Sequence, residues 1–261
     1  MNTTLISRFA VLLVLIGLTF TPAPAHAVTS KVSPDNIKIN LTYHGATLSV
    51  TGENVAGDDL IIRIGNEADD AHYKYMGKAG GLFWMKKGDV SFKNVPGVYL
   101  LYSSRELENL LDDAAQTANL IGYKALTEVA EMETPSAELK GDEARWKNEF
   151  IRFKEKQNLY AIHTGTVTRQ HGQTNDTYQV EVAWPFQAPP GEYTVEAMAV
   201  RNGQVVERSR AQFTVERSGV VAKLSDLAFN NAALYGMMAV IIAIIAGFAV
   251  GMIFKKGGGA H

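Results

Sequence analysis

Residues 232–254 read AALYGMMAVIIAIIAGFAVGMIF and are followed by Lys255 and Lys256. No charged side chain interrupts this apolar stretch. At about 1.5 Å per residue, a helix of this length crosses a hydrocarbon core of about 30 Å. The stretch therefore predicts a transmembrane helix, and the rest of the chain reads as a body that this helix holds at a membrane surface.

The opposite end of the chain carries a second apolar segment of a different kind. Arg8 precedes the run FAVLLVLIGL at 9–18, and the small-residue triplet Ala25-His26-Ala27 follows. A basic residue, a short apolar core and an A-x-A site are typical of a secretory signal peptide. A second membrane anchor is the alternative, but the run is short for a span. We predict a signal peptide over 1–27 and a mature chain that begins at Val28.

The two ends together predict the topology. Residues 28–231 form an exported body, and the helix over 232–254 stops transfer. The lysines that follow it stay in the cytoplasm, as the positive-inside rule expects, within a short tail over 255–261. The predicted arrangement is a single membrane pass, with the body outside the cytoplasm and the C-terminus in the cytoplasm.

The composition of the chain excludes several classes of protein. Hydrophobic residues make up 46% and charged residues 20%, which is normal for a chain that folds. The net charge of −2 argues against nucleic acid as a partner. The chain has no cysteine, so disulfides, thiolate metal sites and cysteine nucleophiles are all absent.

The first part of the body, 28–103, reads as a module of strands. Residues 37–43 and 46–51 each alternate apolar and polar side chains, and a turn at His44-Gly45 aligns the apolar side chains of both on one face. This pattern predicts a hairpin. Residues 60–64, which read LIIRI, predict a strand near the centre of a core.

The rest of this module consists of short apolar runs separated by glycine and proline turn signals. Their spacing predicts an antiparallel sandwich of immunoglobulin-like size. The runs are 73–76, 82–85, 90–92 and 98–102.

Residues 104–160 change to helical spacing and predict an insert of two helices. Ser103 and Glu106 form a capping-box pattern, and apolar residues continue at helical spacing until Gly122, which weakens or ends the helix. The second helix carries an apolar stripe, and its basic residues lie off that stripe on a face that we expect to be solvated. The stripe is Leu139, Trp146, Phe150, Phe153 and Tyr160, and the basic residues are Lys147, Arg152, Lys154 and Lys156.

Residues 161–217 return to strands and form a second β module. Asn202-Gly203 usually signals a two-residue turn, but that register opposes apolar to charged side chains here. We therefore predict a three-residue loop, with Phe213 on the same face as Tyr193. Residues 218–231 predict an amphipathic juxtamembrane helix. The sequence leaves open whether the two strand groups form two sandwiches or one that the helices split.

A search for chemistry finds no catalytic motif. The chain lacks G-x-S-x-G, S-x-x-K, a P-loop and G-x-G-x-x-G, so we expect no enzyme activity and no cofactor. The spacing of His163 and His171, and the acidic residues of 66–72, make weak metal sites, and we expect surface side chains instead. Four aromatic residues are candidates for a ligand groove, with packing in the core as the alternative. They are Tyr73, Tyr75, Trp84 and Tyr99.

The predicted membrane helix carries its own candidate site. Ala243, Gly247 and Gly251 lie on one face, and the last two have the G-x-x-x-G spacing. Small residues at this spacing allow the close approach of a second helix. Oligomerisation or a partner's helix would use this face, with a plain membrane anchor as the alternative.

The order of these parts resembles an uncharacterised family of alphaproteobacterial transmembrane proteins, Alph_Pro_TM. The stretches that carry the resemblance are 81–96, 99–105, 149–160, 190–195 and 234–236. The resemblance implies the topology but no activity: the location it implies is the bacterial inner (cytoplasmic) membrane, crossed once, with the body in the periplasm and the C-terminus in the cytoplasm. It also implies a transporter as partner, since members of the family are often encoded beside sulfite or organosulfonate exporters of the TauE/SafE type.

Together these patterns predict a mainly β protein with an α insert. Immunoglobulin-like β-sandwich modules flank a two-helix segment, and one C-terminal transmembrane helix follows. The predicted function is that of a non-enzymatic accessory or interaction protein for an integral membrane partner. The alternative is a membrane-anchored module that binds a small ligand, and a hydrolase is the third reading.

Overall fold

The computed structural model describes residues 28–80, 82–135 and 141–255. The predicted signal peptide, Leu139 of the predicted stripe and the tail from Lys256 onward lie outside these residues. The described chain is mainly β, as predicted. Its strands are β1 (Lys31–Ser33), β2 (Asn36–Ile39), β3 (Ala46–Val55), β4 (Asp59–Gly65), β5 (Ala68–Ala79), β6 (Phe83–Pro96), β7 (Tyr99–Ser103), β8 (Glu131–Glu133), β9 (Tyr160–His163), β10 (Thr168–Gln170), β11 (Asn175–Trp184), β12 (Gly191–Arg201) and β13 (Gln204–Arg217). Its helices are α1 (Leu107–Leu110), α2 (Asp113–Ala118), α3 (Gly122–Val129), α4 (Glu143–Lys156), α5 (Gly219–Asn230) and α6 (Ala232–Lys255).

The strands of the described residues form three sheets, and strands from both sides of the helical segment share two of them. The six-stranded sheet has the order β2-β13-β12-β4-β7-β9, and the four-stranded sheet has the order β1-β3-β11-β10. Val50 of β3 lies opposite Val180 of β11, and Ile62 of β4 lies opposite Ala197 of β12. The two strand groups of the sequence are therefore interleaved rather than folded as separate sheets.

The two larger sheets pack against each other through aromatic side chains. Trp184 of β11 contacts Tyr193 of β12 and Phe213 of β13, with ring centroids 4.6 and 5.0 Å apart. All three side chains are buried. Edge-to-face contacts of this kind add to the free energy gained from burying the rings.

The prediction of a hairpin over 37–51 is wrong. β2 pairs in parallel with β13, so that Ile37 lies opposite Val215, whereas β3 pairs with β1 and β11 in the other sheet. The chain between β2 and β3 turns, with the Tyr43 N–H donating to the Asn40 carbonyl at 3.2 Å. Alternation of apolar and polar residues reports which face of a strand is buried, but not which strand lies beside it.

The next strands form a long hairpin instead of three short strands, and the fourth predicted run, 98–102, corresponds to β7. Residues 82–85 and 90–92, predicted as separate runs, belong to the single strand β6, which pairs with β5. β8 adds to the other edge of β6. The predicted buried strand over 60–64 is confirmed as part of β4.

The helical segment is more fragmented than the predicted pair of helices. Ser103 ends β7, and its hydroxyl donates to the Arg105 carbonyl at 2.6 Å, so the predicted capping box is wrong. Asp112 caps α2 instead, because its carboxylate accepts from the Ala115 N–H at 2.7 Å. Gly122, predicted to end a helix, begins α3 with a φ of +87°. Tyr160, predicted on the second helix, lies in β9.

For the turn between β12 and β13, the predicted loop length is wrong, but the prediction that Tyr193 and Phe213 share a face is correct. Asn202 and Gly203 have φ of 52° and 77° and form a two-residue turn, so that Arg201 lies opposite Gln204. A bulge after Ala199 shifts the register and sets Tyr193 opposite Phe213, as predicted. The bulge supplies the extra residue that the predicted three-residue loop would contain.

One end of the six-stranded sheet carries the predicted anchor, and we call it the anchor end. β4 ends there at Gly65 and β13 at Arg217, because Gly65 lies opposite Thr194 and Val215 lies opposite Gly191. The helix α5 follows β13 directly, which confirms the predicted juxtamembrane helix as a helix. The helix α6 then follows α5.

Candidate membrane helix and arginine groove

The helix α6 has the length and composition of a membrane span. Residues Ala232–Met252 have a mean hydropathy of 2.4, and none of this span is buried against the rest of the described chain. A helix that is apolar on all sides and covered by nothing in its own chain is stable in lipid but not in water. The structure therefore supports the predicted membrane association through one apolar helix.

The small residues of α6 have no neighbours within the described chain. A Cβ atom added at Gly247 or Gly251 would meet no atom within 4 Å. Ala243 is exposed on the same face of the helix. This face is therefore free to take a second helix at close range.

The four aromatic residues predicted to line a groove lie in three different environments. Tyr73 and Tyr75 pack against α4, with ring centroids 5.8 Å from Phe150 and 4.8 Å from Trp146, respectively. Tyr99 is buried in the core, and its hydroxyl donates to a backbone carbonyl of the helical segment at 2.9 Å. Burial raises the pKa of Tyr99 to about 12, so the phenol stays neutral.

Trp84 differs from the other three aromatic residues because its side chain is largely exposed. It lies near the tip of the β5–β6 hairpin, with the Lys78 ammonium 5.7 Å from its ring centroid. The four aromatic residues thus do not form one ligand site.

A cluster of charges on the outer face of the six-stranded sheet was not predicted. Glu196 of β12 is only 2% exposed, and its carboxylate accepts from Arg63 at 2.5 Å and from Arg210 at 2.8 Å. The Arg208 guanidinium lies 3.5 Å away. Burial raises the pKa of the Glu196 carboxyl, but the three guanidiniums outweigh burial and hold that pKa below its usual range. One carboxylate thus faces three cations.

This cluster forms one wall of a groove of about 450 Å³ at the anchor end. Arg63 also donates to the Asn119 carbonyl at 2.9 Å and so ties the sheet to the helical segment. Leu120, which also lines the groove, has a φ of +53°, which strains a leucine backbone. The lining residues are Arg63, Gly65, Asn66, Glu67, Ala68, Asn94, Pro96, Val98, Tyr99, Leu120, Leu126, Val129, Thr194, Glu196, Arg210 and Gln212. The guanidiniums of Arg63 and Arg210 and the carboxylates of Glu67 and Glu196 all line the groove, so the charges of its lining balance.

Part of this cluster was visible in the sequence. Arg63 interrupts an otherwise apolar strand that we predicted to be buried, and a buried arginine requires a partner. Nothing in the sequence pointed to Glu196 as that partner, since 133 residues separate the two. The strained backbone of Leu120 has no sequence signal either.

Lys154 corrects the prediction of a solvated basic face on α4. Its side chain is buried, its ammonium donates to the Gly97 carbonyl at 3.1 Å, and it lies 5.6 Å from the ring centroids of Phe150 and Tyr160. Burial lowers the pKa of this lysine. Lys154 therefore helps to dock α4 against β9 rather than to face solvent.

The histidine and acidic residues weighed as metal ligands make other contacts. His163 stacks on Tyr102, and His171 Nδ1 lies 3.1 Å from the Asp176 carboxylate. His72 contacts the Ser91 hydroxyl at 2.7 Å, and the Asn66 side chain accepts from the Val98 N–H at 2.9 Å. Within 28–80, 82–135 and 141–255, no group of three His, Asp or Glu side chains is arranged to hold a metal ion.

Comparison with protein families identifies the family to which this chain is similar. The model of a family described as "Putative transmembrane protein (Alph_Pro_TM)" matches residues 27–256. No curated protein matches the chain. The matched region includes both larger sheets, the helical segment, the groove and α6. Since the match covers nearly the whole chain, the protein belongs to the Alph_Pro_TM family of transmembrane proteins.

Proposed function

We propose that the protein is a non-enzymatic accessory protein that α6 anchors in the bacterial inner membrane. In this proposal the body lies in the periplasm and the C-terminus in the cytoplasm, after removal of a signal peptide over 1–27. The face of α6 with Ala243, Gly247 and Gly251 contacts an integral membrane partner. One observation carries the proposal: this face makes no contact with the other described residues of the chain and is lined by small residues.

The arrangement of the strands supports an immunoglobulin-like body, which is a common scaffold for interactions. β1 pairs antiparallel with β3 in one sheet, whereas β2 pairs in parallel with β13 in the other. The extended segment at the start of the body, which contains β1 and β2, therefore contributes to both sheets. We propose that the body is one immunoglobulin-like sandwich, into which the helical segment and the β5–β6 hairpin are inserted.

The proposed partner is a transporter, and a TauE/SafE-type exporter is the specific candidate. The support for this candidate is the family resemblance rather than any contact in the fold. A second copy of this chain is the other partner that the small-residue face accommodates.

Crosslinking in native membranes tests the partner. The double variant Gly247→Leu/Gly251→Leu fills the small-residue face and should still insert, since leucine is favourable in lipid. We expect a discrete membrane partner to crosslink to the wild type and to be lost in the double variant. Ala249→Leu is the matched control, because it enlarges a side chain on the opposite face. Equal recovery from all three proteins, or recovery as a lone monomer, would refute the proposal.

The groove supports a second function, the binding of a small oxyanion. Arg210 lines the groove with a side chain that is 68% exposed, and Glu196 accepts from its Nε and Nη2, so the guanidinium has further N–H donors for an oxyanion. We expect sulfite, sulfate or a short sulfonate to raise the melting temperature of the wild type, because a ligand that binds the folded state stabilises it. Arg210→Gln should abolish the shift, whereas Arg152→Gln on the surface of α4 should not. A wild type that responds to none of these anions would exclude this function.

A further inference from the structure

The tip of the β5–β6 hairpin exposes large apolar side chains. Leu82, Phe83 and Trp84 are 78%, 74% and 67% exposed, and Met76 and Met85 are about half exposed. We call residues 76–80 and 82–87 the hairpin tip. Contiguous apolar surface of this kind marks a site that another surface covers.

The charges of the hairpin tip all have one sign. Between Tyr73 and Gly88 the chain carries lysines but no Asp or Glu. Lys78 lies over the Trp84 ring, and Lys86 pairs with Asp89 below the tip at 2.7 Å. Aromatic and aliphatic side chains flanked by lysines are the composition of segments that bind anionic membrane surfaces. The lysines are Lys74, Lys78, Lys86 and Lys87.

Both faces of the hairpin tip are apolar. Successive residues of a strand point to opposite faces, so Phe83 and Met85 lie on one face and Trp84 on the other. A protein partner that docks on this two-stranded ribbon covers one of its faces and leaves the other exposed to water. Immersion in the boundary between headgroups and acyl chains covers both faces, and this favours lipid as the occupant.

The hairpin begins at the end of the body that carries the membrane helix. Only Asn66 and Glu67 separate the end of β4 from β5, and Ala68 lies opposite Pro96 at the base of the hairpin. At about 3.3 Å per residue, β5 extends about 36 Å from this base. The connection to the membrane helix is shorter, since α5 rises about 18 Å. The hairpin is therefore long enough to reach the bilayer that holds α6.

The helix α4 stiffens the hairpin. A two-stranded ribbon is only marginally stable alone. Tyr73 contacts Phe150 and Phe153, and Tyr75 contacts Trp146, which lies one turn before Phe150 in α4. The lower half of the ribbon is thus fixed to a helix, while the tip extends beyond these contacts.

We propose that the hairpin tip inserts into the headgroup region of the same bilayer that α6 crosses. Phe83 and Trp84 lie at the boundary with the acyl chains, and the lysines contact anionic headgroups. The body is then held at two points and has a fixed orientation on the membrane. This inference is independent of any partner of α6.

Spin labels on the full-length protein in nanodiscs test the insertion. The chain has no cysteine, so single cysteines can be placed at will. Leu82→Cys reports on the tip, Ile245→Cys is the reference within lipid, and Val206→Cys, at the other end of the sheet from α6, is the reference in water. We expect the label at residue 82 to collide more with oxygen than with a water-soluble nickel chelate, as at residue 245. Accessibility to nickel equal to that at residue 206 would overturn the proposal.

A label at residue 82 that is shielded from both oxygen and nickel would also overturn the proposal, because it would place the tip against protein rather than lipid. The contribution of charge is tested by Lys78→Gln/Lys87→Gln. We expect this variant to lower the oxygen accessibility at residue 82 in phosphatidylglycerol nanodiscs and to change it little in phosphatidylcholine. An equal effect in both lipids would refute the role of the lysines.

Discussion

Replacing Glu196 by glutamine tests the charge cluster that joins the sheet to the helical segment. The substitution keeps the shape of the side chain but removes its charge. Arg63, whose side chain is 23% exposed, then has only neutral acceptors within the described chain, namely the carbonyls of the helical segment and the new amide oxygen, in place of an anion. Arg208 and Arg210 are 38% and 68% exposed and can turn towards water.

The expected loss is about 3 kcal/mol of unfolding free energy, the lower end of the cost of breaking a buried ion pair. The lower end of this cost applies because Arg63 is the least exposed of the three arginines, whereas the other two can be hydrated when the carboxylate is lost. For a body of this size, about 3 kcal/mol corresponds to a fall in melting temperature of about 6–12 °C. Glu149→Gln is the matched control, because its pair with Arg152 is exposed and contributes about 0.5 kcal/mol or less.

Thermal unfolding of the full-length protein in detergent, followed by circular dichroism, measures this difference. It should also depend on pH. The folded pKa of Glu196 lies below its ordinary value of 4.5, so the ionised carboxylate stabilises the fold above about pH 4.5 and loses this effect as the pH falls further. The gap between wild type and Glu196→Gln should be full at pH 7 and narrow below about pH 4.5. A fall no larger than that of Glu149→Gln, or a gap that widens in acid, would refute the reasoning.

Three further substitutions test the packing of the body by the same unfolding measurement. Trp184→Ala should cost about 3–5 kcal/mol, because this ring joins the two larger sheets; a loss under 1 kcal/mol would mean that the sheets do not depend on it. Lys154→Met removes a lysine whose pKa is lowered by burial, so the wild type should gain stability relative to the variant as the pH rises towards the ordinary lysine pKa of 10.5. A relative loss of stability over this pH range would contradict the burial of the ammonium. Gly203→Ala should cost about 1 kcal/mol, since alanine disfavours the φ of +77° there, and an unchanged melting temperature would argue against that turn.

Local features of this chain were predictable where one short stretch decides them. Apolar residues over 60–64 have both faces buried in β4, and the uncharged stretch over 232–254 forms α6. Each pattern reports the environment of its own residues, so it needs no knowledge of distant parts of the chain. The facing of Tyr193 and Phe213 was predictable for the same reason, because apolar residues of a hairpin must share a face.

Long-range pairings were not predictable from the same patterns. Ile37 is buried as its alternation predicts, but against Val215 rather than within a local hairpin. The parallel pairing of β2 with β13 joins residues about as far apart as the body allows, and no local pattern identifies such a partner. The cluster around Glu196 was missed for this reason too, since its charges come from β4, β12 and β13.

The anchor end brings together features that are distant in the sequence. The groove opens there, since Gly65 and Asn66 form part of its lining, and the hairpin begins there at Ala68. β13 ends at Arg217, and α5 rises only about 18 Å before α6 begins. A ligand in the groove would therefore be held close to the bilayer. A partner that takes up or supplies that ligand would have to lie in the same membrane. Binding of an anion in the groove and contact of α6 with an integral membrane partner are therefore compatible as two parts of one function.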